Sequence, residues 1–460
     1  MQEQSGTIAA IATAVSSSGI GIVRISGEEA LAVLSRIFYP AKKELNVMEL
    51  PSHTVTYGHI YDGETMIDEV LVIYMRHPHS YTAEDTVEID CHGGVYVVKR
   101  VLETVLKHGA RPAEAGEFTK RAFLNGRIDL SQAEAVMELI ESKNEYAMKS
   151  SLKQIGGALS EKIKELRKKL IYEIAFIESA LDDPEHISLD GYSDRLAGTV
   201  RELKEEVAEL LRSADNGRLI SEGIKTVILG RPNAGKSSVL NLLLGEERAI
   251  VTDVAGTTRD TLEEHLNFNG ISLNLMDTAG IRKTEDLVEK IGVDRAMEHA
   301  KDADLILYVV DSSEPLSAED EAIISMIREK QAIVLLNKSD LEQKITAEDL
   351  WDRTGKQVIL FSAKERTGLS ELSEAISKMF FSGEVQLHDE IYLNSARQKD
   401  ALRRAEESLE KVGESIDNRM PEDFYSIDLM DAYEALGSVI GESVEEDLVN
   451  EIFSKFCMGK

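Results

Sequence analysis

Gly230, Arg231, Pro232, Asn233, Ala234, Gly235, Lys236 and Ser237 have the residue types and spacing of a loop that wraps a phosphate. Gly230 and Gly235 let the backbone turn its N–H groups toward the anion. Lys236 reaches the outer phosphates, and the hydroxyl of Ser237, followed by Ser238, suits Mg²⁺ at the positive end of a helix. The apolar run from Thr226 to Leu229 before the loop and the helix-like stretch from Ser238 to Leu243 after it supply the strand–loop–helix context the motif needs. Farther along, an apolar run ends in Asp277, Thr278, Ala279 and Gly280, where Asp277 can hold the Mg²⁺ shell and the Gly280 N–H can meet a γ-phosphate. A third run, Ile333 to Leu336, ends in Asn337, Lys338, Ser339 and Asp340. The Asp340 carboxylate suits a base with two adjacent N–H donors, as guanine has and adenine lacks. A fourth run delivers Ser362, Ala363 and Lys364, whose backbone N–H groups can receive the guanine carbonyl oxygen. Four such strings in order at strand ends imply a GTP/GDP site.

Thr252, Asp253, Val254, Ala255, Gly256, Thr257 and Thr258 make a Gly- and Thr-rich loop between the first two strings, with Thr258 as a second hydroxyl for Mg²⁺. Many GTPases carry a Gln directly after Asp-x-x-Gly to orient the attacking water; here that position is Ile281. Glu285, Asp286 and Glu289 are then the candidates to polarise water. Charge on the transferring phosphate can be met by Arg259, Arg282, a partner's residue or another cation. Asn233, with carbonyls of the Thr252 to Thr257 loop, offers hard oxygen ligands to a monovalent ion.

These loops need a scaffold, and the chain has the means to build one. It has 460 residues, 43% hydrophobic, enough for about three packed domains. A formal charge of −31 excludes broad affinity for nucleic acid or anionic membrane, so contact with RNA is local or shared with a partner. Two cysteines, Cys91 and Cys457, make no disulfide framework, and no apolar run of about 18 residues or signal-like start appears, which places the chain in a reducing cytoplasm with no membrane association. Alternating apolar runs among Gly and Pro turns predict a compact α+β unit over residues 1–118. Apolar residues at helical spacing over Ser131 to Ala180, and again over Ser395 to Lys455, predict bundle helices. The expected layout is an N-terminal α+β domain (1–118), a helical domain in two parts (119–221 and 381–460), and an inserted P-loop nucleotide-binding domain (222–380) with a mostly parallel sheet and flanking helices.

Gly230 to Ser238, Ile250 to Asp260, Asp277 to Arg282 and the ending Phe456-Cys457-Met458-Gly459-Lys460 resemble the MnmE (TrmE) family of bacterial and organellar tRNA-modification GTPases. So do Gly21 to Gly27, His92-Gly93-Gly94, Arg111 to Phe118 and Arg121 to Leu130, and the match runs end to end. The resemblance implies a homodimer through the N-terminal domains and K⁺ held by Asn233 and backbone oxygens of Thr252, Val254 and Thr257 in place of an arginine finger. It further implies Mg²⁺ on Ser237 and Thr258, with Glu289 positioning the attacking water. In the N-terminal domain it implies a tetrahydrofolate derivative (5-formyl or 5,10-methylene) bound by Arg24, Glu88, Arg127 and Lys460, and it gives Cys457 as the family's terminal cysteine. The implied reaction, with an FAD-dependent MnmG-type partner in a heterotetramer, adds an aminomethyl or carboxymethylaminomethyl group to C5 of the wobble uridine, position 34, of certain tRNAs. A ribosome-assembly switch shares the phosphate loop but predicts a basic RNA-binding module, absent from this acidic chain. A membrane-associated scaffold GTPase would want a basic amphipathic face, also absent.

Overall fold

The computed structural model describes residues 6–246, 264–269, 271–276, 299–380, 393–442, 446–456 and 459. They fall into two compact units, one of residues 1–137, 154–189 and 420–460, the other of residues 138–153 and 190–419.

The first unit is built on seven strands, β1 (Ile8–Ile11), β2 (Gly21–Ser26), β3 (Phe38–Pro40), β4 (Thr54–Asp62), β5 (Thr65–Met75), β6 (Thr86–Cys91) and β7 (Arg111–Pro112), in the order β3-β4-β5-β6-β2-β1-β7. Side chains alternate in a strand, so each residue type takes a face. Val23 and Ile25 of β2, Val70, Val72 and Tyr74 of β5, and Val87 and Ile89 of β6 turn inward, where the helices Ala30–Ile37 and Val95–Lys107 cover them with Leu34, Ile37, Val98 and Val101. The same alternation turns Arg24, Glu88 and Asp90 to the opposite face, and the antiparallel register sets Arg24 directly across from Glu88. A short helix, Glu117–Leu124, carries the buried Glu117 between Arg111 and Arg121, with Oε2 accepting from Arg111 Nη1 at 2.9 Å and Oε1 accepting from Arg121 Nη2 at 3.0 Å. Phe453 and Phe456 pack with Phe123 and Leu130, and the long helix Ala158–Asp182 packs along Glu422–Ile440, where the Arg167 guanidinium lies 4.0 Å from the Tyr433 ring centroid.

The second unit holds β8 (Ile224–Leu229), β9 (Glu264–Phe268), β10 (Ile271–Leu275), β11 (Leu305–Asp311), β12 (Ala332–Asn337) and β13 (Gln357–Leu360), ordered β13-β12-β11-β8-β10-β9 and parallel except for β9 with β10. A parallel sheet is covered on both faces, which is why β11 and β12 read as near-continuous apolar runs and β10 is buried along its whole length. The central β11 is a seven-residue buried run that motif spacing does not single out. Flanking helices begin with polar caps, as where Ser317 and Asp320 exchange side-chain and backbone hydrogen bonds at the start of Ala318–Ile327. The helix Tyr192–Glu222, before the sheet in sequence, packs along Ala396–Asp417, after it. The chain thus combines an α+β N-terminal sheet, paired helices and a mostly parallel sheet with flanking helices that carries the phosphate loop.

Candidate functional site

The three described motifs follow the carboxyl ends of the parallel strands β8, β12 and β13, which gathers them at one edge of the sheet. The phosphate loop follows β8, with left-handed φ at Gly230 (153°), Asn233 (62°) and Gly235 (103°). A Cβ on Gly230 would lie 2.4 Å from the Val309 carbonyl oxygen, and one on Gly235 would lie 2.1 Å from Asn337 Nδ2, so neither position accepts a side chain. Lys236 opens the helix Lys236–Glu246, and its Nζ donates to the carbonyls of Gly230 and Arg231 at 2.8 Å each, across the mouth of the loop. Asn233 is exposed, and Ser237 and Ser238 stand in the first turn of that helix. An amide and a hydroxyl at this edge are donors that fit hard cations. Among the described residues, no group of three or more His, Cys, Asp or Glu side chains is placed to hold a metal ion.

Asn337 ties the loops together. Its Nδ2 donates to the Ala234 carbonyl at 2.9 Å, and its Oδ1 accepts from the Ala363 N–H at 3.2 Å. Asp340 Oδ1 accepts from Ser362 Oγ at 2.7 Å, while Lys364 Nζ lies 3.8 Å from its other oxygen. That hydroxyl bond, helped by the Lys364 and Lys338 charges, holds the Asp340 carboxyl below the usual carboxylate range. Asp340 is therefore an ionised acceptor at neutral pH, as a base with two N–H donors requires. Lys338, at φ 59°, donates from Nζ to Asp311 Oδ2 at 2.6 Å. Burial pushes the Asp311 carboxyl up, but hydrogen bonds from Lys338 and Ser313 outweigh it and the net shift is downward. Asp311 joins this network, and the motif strings miss it. Its signal is an acid ending the apolar run Leu305 to Val310, in register with Asn337 on the neighbouring strand.

Of the residues expected at the nucleotide, Asn233, Ala234, Gly235, Lys236, Ser237, Ser238, Asn337, Lys338, Asp340, Ser362, Ala363 and Lys364 are described, and the hydrogen bonds above bring Ala234, Asn337 and Ala363 together. Residues 252–258, Arg259, Asp277 to Arg282, Glu285, Asp286, Glu289, Cys457 and Lys460 lie outside the described residues.

In the N-terminal unit, Arg24 Nε donates to Glu88 Oε1 at 2.7 Å, and Arg24 Nη1 donates to the Gly459 carbonyl at 3.3 Å. Its guanidinium lies 5.7 Å from the Tyr81 ring centroid and 5.6 Å from that of Phe118, while the Arg127 guanidinium lies 5.1 Å from Tyr81. Two of the four expected residues thus meet around one aromatic ring, Glu88 is paired with one of them, and Lys460 follows the Gly459 that Arg24 contacts. An acid beside two guanidiniums fits a ligand with N–H donors at one end and carboxylates at the other. Asp90, next outward on β6, has its carboxyl pushed up by burial and by the Glu88 charge. Tyr81 and Asp90 are further residues that motif matching leaves unmarked. No helix among the described residues is long and apolar enough to cross a membrane.

The family model described as "GTP-binding protein TrmE N-terminus" matches residues 7–127, and the one described as "MnmE helical domain" matches residues 130–457. The tRNA modification GTPase MnmE of Lachnoclostridium phytofermentans is 59% identical over 454 residues, covering 99% of both chains. Its counterparts in Alkaliphilus metalliredigens and Clostridioides difficile are 48% identical over 461 residues and 47% identical over 459, again covering 99% of each chain.

Proposed function

The chain belongs to the MnmE family of tRNA modification GTPases, which makes it a GTP-hydrolysing enzyme of tRNA modification, and from that premise we propose the finer activity. It is a potassium-dependent GTPase that, with an FAD-dependent MnmG-type partner in a heterotetramer, installs an aminomethyl or carboxymethylaminomethyl group at C5 of uridine 34 in certain tRNAs. The observation that carries the nucleotide part is the Asn337 side chain, which joins the phosphate loop to the Ala363 backbone beside the ionised Asp340. One edge of the sheet then offers a phosphate cradle and a guanine acceptor together.

Asn233 and backbone oxygens of Thr252, Val254 and Thr257 would hold K⁺, and Ser237 and Thr258 would hold Mg²⁺. Bound there, the monovalent ion supplies the positive charge that an arginine finger supplies in other GTPases. Glu289 positions the attacking water. Arg24, Glu88, Arg127 and Lys460 would hold the folate, which supplies the one-carbon unit. Val55, Tyr57 and Leu71, apolar and exposed on neighbouring strands β4 and β5, support a homodimer through the N-terminal domain. Residues 119–221 and 381–460 form one helical domain interrupted by the GTP-binding domain 222–380, and the enzyme works in the cytoplasm.

Steady-state GTP hydrolysis in potassium against sodium tests this reading. Potassium raises the rate by at least about tenfold, and Asn233→Ala removes the difference. Equal rates in both salts overturn the potassium assignment while leaving the GTPase itself in place.

A further inference from the structure

Arg24 and Arg127 share the Tyr81 ring but differ in what else they meet. Arg24 is neutralised by Glu88 at 2.7 Å and also donates to the Gly459 carbonyl. Arg127 is exposed, and among the described residues its side chain meets no carboxylate, only the face of Tyr81 at 5.1 Å. Stacking on an aromatic face orients a guanidinium while leaving its in-plane N–H donors free for a bidentate carboxylate.

The ring is itself held in place. Its hydroxyl shares a 2.9 Å hydrogen bond with Thr119 Oγ1, and the loop that carries it is fastened on both sides. Asn125 Nδ2 donates to the Thr82 carbonyl at 2.8 Å, Arg121 Nη1 reaches Glu84 Oε2 at 3.0 Å, and Ser26 Oγ bonds both Thr82 and Glu84 at 2.7 and 2.8 Å. A bulky ring tied this firmly beside an unneutralised arginine is a fixed platform for that arginine.

We propose that Tyr81 is a positioning residue of the N-terminal site, setting the Arg127 guanidinium to receive the glutamate carboxylates of a folate whose pterin N–H groups meet Glu88. The inference rests on the folate reading above and divides its labour. Arg24, paired with Glu88, orients the acid at the pterin end, and Arg127, steered by Tyr81, takes the tail.

Calorimetric titration of the full chain with 5-formyltetrahydrofolate, and with 5-formyltetrahydropteroate, which lacks the glutamate, tests the division. Tyr81→Leu weakens the folate by about tenfold and leaves the pteroate unchanged, while Tyr81→Phe, which keeps the ring, binds both as the parent does. The exposed Arg127→Gln gives the pattern of Tyr81→Leu and carries the test if the leucine variant does not fold. The positioning role is overturned, with the folate reading intact, if the parent binds the folate and Tyr81→Leu and Arg127→Gln bind it equally well, or if those two variants lose both compounds alike. A parent chain that binds neither compound overturns the folate reading and this role with it.

Discussion

In the proposed function Asp340 acts as an anion. An asparagine of the same shape keeps one acceptor and presents a donor where guanine also presents one. Asp340→Asn therefore loses two charge-assisted bonds, and GTP affinity falls about 100-fold on titration. The pH dependence follows from the downward shift, caused first by the Ser362 hydroxyl. The carboxylate is held ionised to lower pH than an ordinary Asp, so the Asp340 contribution to GTP affinity is complete at neutrality and is lost as pH falls through a value below the ordinary Asp range near about pH 4. Affinity measured across that interval checks the direction, and a contribution already lost above the ordinary range would contradict it. At this scale, Asn337 and Asp340 are legible in the sequence because their chemistry is written in four consecutive residues. Asp311 is not. Its role depends on β11 lying beside β12, which sets Asp311 opposite Asn337 and within reach of Lys338, and no local string records which strands become neighbours. Tyr81 is hidden for the same reason, since Arg24 lies on a different strand and Arg127 after a different helix.

The helix Glu117–Leu124 is held to its sheet by charge as well as by Phe118. Glu117 is 1% exposed and sits between two arginines, so removing it strands their charge. Glu117→Ala costs about 3 kcal/mol of stability, read by urea unfolding. Burial raises the Glu117 carboxyl, but hydrogen bonds from Arg111, the Glu114 N–H and Arg121 bring it below its ordinary range. Its contribution is then complete above about pH 4.3 and is lost as pH falls through the depressed value, so the variant lacks that share of the parent's acid sensitivity. Among elements, strands β2 and β5 were readable from alternation, because period two assigns a face to every residue. The helical texture from Ser131 to Ala180 reads as long helices but holds three: Leu130–Glu141, Glu145–Ile155 and Ala158–Asp182. One break is made by Asn144, whose Oδ1 accepts from the Ala147 N–H at 2.8 Å, and the other precedes Gly157 at φ 91°. Apolar spacing continues across both, which is why periodicity passes over them.

For the whole molecule, the kinds of piece were legible and which helix packs on which was not. Helical spacing marks a face to be covered but does not name what covers it. Residues 119–221 and 381–460 contribute helices to both compact units, Ala158–Asp182 with Glu422–Ile440 in one and Tyr192–Glu222 with Ala396–Asp417 in the other. In each unit a helix that precedes the nucleotide-binding sheet in sequence packs on one that follows it. Hydrolysis can shift such an assembly only if the triphosphate and diphosphate forms bind its states differently, which makes the identity of the nucleotide the premise of the functional account. The direct measurement is calorimetric titration of the full chain with GTP and with ATP under matched Mg²⁺ and K⁺. The account predicts that GTP binds and that ATP, which offers Asp340 no pair of N–H donors, binds at least about 10³-fold more weakly. ATP binding as tightly as GTP would contradict it.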